Sequence, residues 1–355
     1  MISKRLPVTV ITGFLGSGKT TVLRHLLTNS RQRLAVMVNE FGSVGLDGDL
    51  IRSCGFCPDE EIEGRLVELN NGCLCCTVQD DFLPTMEKIL SQSSQLDGIV
   101  IETSGLALPR PLINALEWPA VRTKVFLNGV ITLVDGEAIS GGNPVSDLSA
   151  IERQRQEDPN LDHLTPVNEL FHDQLRSADF ILISRADRIS KSQIENIESE
   201  LTEKSTLGTP ILSISHGKVS PDLILGLKTD DLITADKSAI SDDSLHDDIH
   251  HDDHHHVQVS SGIVKVELLI DKGHLESILP KLAVKYKILR LKGRCWFPDK
   301  TIPLQIQMVG SRLSSWYEPA PDRVWKPTTG GLDLVVLSFR DDAAAAIQHE
   351  LDGTV

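Results

Sequence analysis

No stretch of this chain approaches the ~18 consecutive apolar residues of a membrane-spanning helix, so the sequence offers no candidate span. Positive charge is in deficit. Against 50 Asp and Glu stand 35 Lys and Arg, leaving a formal net charge of −15 over 355 residues. So acidic a chain is a poor general binder of nucleic acid or of an anionic membrane, and neither is expected as a partner, although a local basic patch is not excluded. Cysteine is sparse, with six in all. The first apolar run begins within a few residues of the start, which leaves no room for a signal peptide. The expectation is a cytoplasmic protein, where cysteines serve as thiols or metal ligands rather than in disulfides.

What is present is otherwise ordinary for a globular protein: 40% hydrophobic and 24% charged residues. The length suffices for two domains, since one core rarely grows much beyond roughly 250 residues. Residues Gly13-Phe-Leu-Gly-Ser-Gly-Lys-Thr20 have the spacing of a phosphate-binding loop, with an apolar run, Val8–Thr12, before it and a helix-like run, Thr20–Leu27, after it. Amides at a helix N-terminus form a concave anion site, and Gly13, Gly16 and Gly18 let the chain curl close to phosphates. Lys19 is placed to lie against the β- and γ-phosphates and Thr20 to ligate Mg²⁺, with Ser17 and Thr21 completing the nucleotide-binding set.

Apolar strand candidates recur at Leu34–Val38, Leu66–Leu69, Gly98–Ile101, Val130–Val134, Phe180–Ser184 and Ile211–Ile214. Helix-like stretches separate several of them, at Asp80–Leu90, Leu112–Leu116, Asn168–Ala178 and Ser192–Leu201. The alternation predicts an α/β domain over residues 1–228, a largely parallel P-loop NTPase sheet flanked by helices, with ligands beyond the carboxyl ends of its strands. Residues 229–261 are rich in Asp, Ser and His and read as an exposed linker. Strand-like Ile263–Ile270, helical His274–Lys285, then strand-like Ile288–Leu291, Ile302–Val309 and Leu332–Phe339 predict a smaller α+β domain over 262–355. Its last sixteen residues read as a surface helix or a frayed tail.

The strand Gly98–Ile101 runs into Glu102-Thr-Ser-Gly105. An acid at the tip of a strand beside a phosphate loop can hold the Mg²⁺ hydration shell or orient water, and the Gly105 amide can reach a γ-phosphate. Asn39-Glu-Phe-Gly42 follows another strand, with Asp47 in the loop beyond it, where a segment could sense the nucleotide state; an ordinary surface loop is the alternative. Cys73, Cys75 and Cys76 crowd into four residues. Thiolates are soft and suit Zn²⁺, Cu⁺ and other late first-row ions. Adjacent Cys75 and Cys76 cannot point the same way without a turn, so two thiolates with a carboxylate or water are as plausible as three, and Glu40 is a candidate extra ligand. Cys54 and Cys57 have the Cys-x-x-Cys spacing of a zinc half-site or a redox pair; no strand–helix context supports the redox form, and metal ligation or no role stay open, while Cys295 reads as structural. His246, His250, His251, His254, His255 and His256, interleaved with aspartates, read as a weak, unselective metal-binding tract or a solvated spacer.

Together Gly13–Thr20, Asn39–Gly42, Asn71-Gly-Cys-Leu-Cys-Cys-Thr77 and Glu102–Gly105 resemble the CobW family of P-loop GTPases that handle transition metals. The resemblance continues through Ser104–Leu112, Gly129–Asp135 and Phe171–Leu175, covering about the first 190 residues closely, and more loosely through Leu291–Gly293 and Gln307–Gly310. Cys54–Pro58 and Ala107–Leu112 look most like the members associated with aerobic cobalamin biosynthesis, which implies delivery of Co²⁺ to a cobaltochelatase. GTPases of this kind carry Asn-Lys-x-Asp after a late strand; the equivalent here is Ser184-Arg185-Ala186-Asp187. Asp187 keeps a carboxylate for guanine N1–H and its exocyclic amine, and Arg185 can lie over the base, whereas Ser184 is shorter than Asn. Asp187 could instead cap the helix starting near Ser190.

The resemblance thus implies hydrolysis of GTP to GDP and phosphate, with Lys19 and Glu102 in the catalytic set. Mg²⁺ would accompany GTP, and Co²⁺ or Zn²⁺ would occupy the thiolate site. Metal affinity would follow the nucleotide state, and the partner would be a client metalloenzyme or cobaltochelatase. A zinc-homeostasis GTPase is the first alternative, since Zn²⁺ usually outcompetes Co²⁺ for such ligands. A small-molecule kinase with a structural zinc site is the second.

Overall fold

Runs of aliphatic and β-branched residues build a seven-stranded sheet in the computed structural model, which describes residues 5–38, 66–68, 82–157, 165–226, 259–321 and 323–353. The chain divides into two compact units, Ser3–Leu225 and Gly226–Val355. The strands of the first are β1 (Leu6–Gly13), β2 (Leu34–Val38), β3 (Leu66–Glu68), β4 (Gly98–Glu102), β5 (Val125–Asp135), β6 (Phe180–Ser184) and β7 (Ile211–Ser213). They lie in the order β3-β2-β4-β1-β5-β6-β7, and every pairing is parallel. Each residue of β2, β4 and β6 is buried, as expected where helices cover both faces of a parallel sheet.

Register carries the functional consequence. Val38 and Ile11 both pair with Glu102, Gly13 pairs with Leu133, and Asp135 pairs with Ser184. The carboxyl ends of strands from distant parts of the chain therefore share one edge. Helices α1 (Lys19–Asn29), α2 (Leu83–Ser91), α3 (Pro109–Leu116), α4 (Gly136–Ser140), α5 (Leu148–Glu157), α6 (Val167–Ser177), α7 (Lys191–Lys204) and α8 (Pro221–Leu225) accompany the sheet. Helix α1 buries Val22, Leu23 and Leu26 and contacts β1 and β4, at about 1.5–3 kcal/mol for each side chain removed from water. Helices α4, α5 and α8 were not anticipated. The first and last are too short for a periodic signal, and α5 reads Leu-Ser-Ala-Ile-Glu-Arg-Gln-Arg-Gln-Glu, with too few apolar residues to mark a face.

The second unit is an antiparallel sheet of β8 (Ser260–Glu267), β9 (Ile288–Trp296), β10 (Leu304–Val309), β11 (Arg312–Tyr317) and β12 (Gly331–Ser338), in the order β11-β10-β9-β12-β8. Leu275, Leu279 and Leu282 of α9 (Lys272–Lys285) and Ile347 and Leu351 of α10 (Ala343–Asp352) join Val264, Leu291, Ile306 and Leu334 in its core. Gly262 permits the close approach of α10, since a Cβ there would lie 2.4 Å from that of Ala344. A strand the sequence pattern did not predict, β11, pairs with β10 across a two-residue turn that begins at Gly310, φ +52°. Nor is the C-terminal stretch a frayed tail: α10 is docked through Ala343, Ile347 and Leu351. Strand β8 takes up the end of the expected linker; residues 227–258 lie outside the described residues.

Candidate nucleotide-binding site

Strand β1 delivers the chain into the loop at Gly13, whose φ of +136° is closed to ordinary side chains. A Cβ there would also lie 2.3 Å from the Leu133 carbonyl oxygen. Gly18 caps α1 at φ +97° and offers no side-chain acceptor, so the first amides of the helix have no capping side chain. Such amides, with the positive end of the helix dipole, are an anion site. Lys19 is 7% exposed and curls back over the loop, donating from Nζ to the carbonyls of Gly13 at 2.8 Å and Phe14 at 3.0 Å. A cation is thus buried within the loop itself.

Thr20 Oγ1 donates to Glu102 Oε1 at 2.9 Å, and Glu102 is buried at the tip of β4. The next residue continues the ladder, its amide donating to Ile11 O at 3.0 Å and its hydroxyl, Thr103 Oγ1, to Thr12 Oγ1 at 2.9 Å. Gly105 then lies directly against the loop, where a Cβ would be 2.5 Å from the Leu15 nitrogen. From α6, Gln174 holds this segment, donating Nε2 to Gly105 O at 3.3 Å and to Ala107 O at 3.4 Å. Gln154 of α5 reaches the same cleft, with its Oε1 buried and, among the described residues, without a hydrogen-bond partner.

The other end of the cleft is built by the turn after β6. Arg185 occupies the left-handed region at φ +56°. Its guanidinium donates to Asp135 Oδ2 at 2.7 Å and to Gly16 O at 3.0 Å, tying this turn to the phosphate loop. Asp135 is itself buried, and its Oδ1 accepts from the amides of Glu137 and Ala138 at the start of α4. Asp187 faces the cleft, not the helix that follows. Ser190 caps α7 in a reciprocal arrangement with Gln193, so the helix-capping alternative for Asp187 does not hold.

These residues surround a cleft of about 440 Å³. Of the residues expected to bind nucleotide, Gly16, Gly18, Lys19, Thr20, Thr21, Glu102, Gly105, Ser184, Arg185 and Asp187 line it, whereas Gly13 and Ser17 do not. Sequence reasoning assigned no role to His216, Gly217, Gln154, Arg188 or Gln174; only Gln174 lies in a stretch the resemblance named, Phe171–Leu175. The metal candidates Glu40, Cys73, Cys75 and Cys76 lie outside the described residues, as do Asn39–Gly42, Asp47, Cys54, Cys57 and the His246–His256 tract. Among the described residues no group of three or more His, Cys, Asp or Glu side chains could hold a metal ion. Cys295 is fully buried in the second core, and burial pushes its thiol up to about 12, consistent with a structural role. Among the described residues no helix is long and apolar enough to cross a membrane.

Two domain families match the chain. The one described as CobW/HypB/UreG, nucleotide-binding domain, spans residues 7–211, and the cobalamin synthesis protein cobW C-terminal domain spans 259–355. A zinc chaperone CobW from Pseudomonas aeruginosa is 39% identical, over 98% of this chain and 91% of that protein. A zinc chaperone CobW from a Sinorhizobium species is 38% identical, over 99% of this chain and 98% of its own length. The crystal structure of Zn(II)-bound YjiA GTPase from E. coli is similar at 22% identity and a TM-score of 0.42, covering 98% of this chain and 99% of that one. With the first match spanning the phosphate loop, Glu102–Gly105 and the Ser184–Asp187 turn, and the second spanning the antiparallel unit, the chain belongs to the CobW family.

Proposed function

We propose that this metallochaperone GTPase binds a thiolate-ligated transition metal in its GTP state and gives it up to a client after hydrolysis. The observation carrying this reading is the shared sheet edge, where Lys19, the Thr20–Glu102 pair and Asp187 line one cleft and Val38, the last residue of β2, lines it too. Glu40 follows Val38 in the sequence with only Asn39 between, and Cys73 comes shortly after the end of β3. A segment leaving this edge can therefore respond to what occupies the cleft.

The chemistry follows from the residues. A water oxygen attacks the γ-phosphorus, the bond to the β–γ bridging oxygen breaks, and the water proton ends on inorganic phosphate. Negative charge grows on the leaving GDP, and the buried Lys19 ammonium is placed to stabilise it. The Thr20 hydroxyl and Glu102 carboxylate are a hard-oxygen donor pair that suits Mg²⁺, which when bound with GTP neutralises charge on the β- and γ-phosphates. Glu102 also organises water at the strand tip. Gly105, braced by Gln174, offers its amide to the γ-phosphate, and its loss on hydrolysis frees that segment. Asp187 takes guanine N1–H and the exocyclic amine.

The cargo in this reading is Zn²⁺, held by two or three of Cys73, Cys75 and Cys76 with Glu40. Soft thiolates favour it over Co²⁺, and relatives of nearly full coverage bear the name zinc chaperone. Delivery of Co²⁺ to a cobaltochelatase is the second reading, favoured by the cobalamin-synthesis description of the domain matching 259–355. The test is a competition titration of Zn²⁺ and Co²⁺ on the full chain with GDP and with a non-hydrolysable GTP analogue. Tight binding that needs the analogue is expected, and by linkage the metal must tighten nucleotide binding by the same factor. Equal affinity in both states would sink the coupling; retention of Co²⁺ against equimolar Zn²⁺ would favour the second reading.

A further inference from the structure

We infer that His216 is a specificity-determining residue, its imidazole donating to the six-keto oxygen of guanine beside Asp187; the inference rests on the GTP reading of the cleft. Guanine presents N1–H and N2–H as donors and O6 as an acceptor. A carboxylate can take the first two and nothing more, because it has no proton to give. The third contact needs a donor next to Asp187.

The other two polar residues of the turn are committed elsewhere. Ser184, where GTPases of this kind carry Asn, donates its hydroxyl to Val134 O at 3.2 Å and is 6% exposed. Arg185 directs its guanidinium to Asp135 and Gly16. His216 lines the cleft, with Nε2 3.8 Å from Asp187 Oδ2. That separation is too long for a hydrogen bond between them. It sets a ring donor beside a carboxylate acceptor, as neighbouring groups on one edge of a purine require.

The position is built, not incidental. His216 holds φ +54°, a left-handed conformation that non-glycine residues rarely adopt, and such strain persists where the surroundings over-determine it. Gly217, at φ +71°, seats the loop on α1, since a Cβ there would lie 2.8 Å from Thr21 Cγ2 and 3.1 Å from the Thr21 carbonyl carbon. Ala186 N–H donates to Ile214 O at 3.2 Å, joining the loop to the turn that carries Asp187. The imidazole side chain remains 75% exposed, so packing does not account for its placement. Adenine would meet this pair wrongly at both points, its amine facing the ring donor and its N1 facing the carboxylate.

The experiment measures binding of GDP, 6-thio-GDP and ADP to the full chain and to His216→Ala, His216→Gln and Asp187→Asn. Sulfur accepts poorly, so wild type is expected to bind 6-thio-GDP about five- to tenfold more weakly than GDP. His216→Ala should lose about that factor for GDP and nothing for 6-thio-GDP, erasing the penalty, and His216→Gln, which keeps a donor, should restore part of it. A sulfur penalty that survives in His216→Ala while Asp187→Asn loses preference for GDP overturns the role of His216 alone. Equal binding of GDP and ADP by wild type overturns the guanine reading beneath it.

Discussion

In the parallel unit, Thr9, Asn128 and Thr132 are buried within β1 and β5, but Lys19, Glu102, Thr103, Ser104, Asp135 and Ser184 gather at or beyond the carboxyl ends of strands. In the antiparallel unit the large buried polar side chains sit inside strands. Arg290 and Arg294 of β9 and Gln307 of β10 are all buried. Burial lowers the Arg294 pKa, with the charges of Asp333 and Glu318 opposing the shift. The difference follows from connectivity. Parallel strands need crossovers that return each one to the same starting edge, so loops from distant sequence meet at the other. Antiparallel hairpins alternate their turns between two edges and disperse such groups. Convergence in the first unit is thus a property of topology, and a site follows from it.

The largest effect should come from breaking that convergence at its centre. Lys19→Ala removes the cation the leaving phosphate needs, and single-turnover hydrolysis should fall by about 10²–10³-fold or more. Wild-type turnover would exclude the assigned site. Next, Cys75→Ser with Cys76→Ser should abolish nucleotide-dependent metal binding and the thiolate-to-Co²⁺ absorption, leaving GTP binding intact. Deleting Ser244–His256 should lower metal stoichiometry only, because a tract of His and Asp read from the sequence as an exposed linker would bind ions weakly and unselectively. Loss of the tight site on that deletion would transfer the function to the linker.

Glu102→Gln sharpens the comparison at the strand tip. Turnover should fall about ten- to a hundredfold while GDP affinity moves by only about two- to threefold, the split being read from fluorescent-nucleotide binding against phosphate release. An unchanged rate removes Glu102 from the mechanism. The smallest effect concerns His25 on α1. Burial first, and the Lys218 charge third, lower its pKa from about 6.5, while a hydrogen bond to the Val219 backbone raises it. The unfolded chain then binds more protons than the folded one between the lowered pKa and about 6.5, so stability rises with pH through that window and is lost as pH falls. His25→Gln should flatten this slope in urea melts followed downward from about pH 7.5. Glu198, raised by burial, acts in the opposite sense, so the difference between variant and wild type is the quantity to read.

Much of this was legible because the parallel core needs continuous aliphatic runs. Leu34–Val38 and Phe180–Ser184 are strands at the expected boundaries for that reason. Helix α5 was not legible. Its face is polar because Gln154 and Ile151 reach the cleft and a small core cluster instead of a broad apolar layer. Strand β11 was missed for a related reason, since Arg-Leu-Ser-Ser-Trp-Tyr has only partial alternation and lies at the edge of its sheet. The sequence alone does not tell whether Asp187 caps the next helix; in the structure Ser190 takes that cap with Gln193.

The phosphate loop and the alternation of strands and helices were determined by the sequence alone, because each depends on residues close together along the chain. Loop glycines and aliphatic runs state their chemistry locally. Only the tertiary structure decided that Thr20 meets Glu102, that Arg185 ties its turn to Gly16 and that His216 stands beside Asp187. Those pairs join residues far apart in the chain. Their meeting depends on strand order and register, which hydrophobic periodicity does not encode.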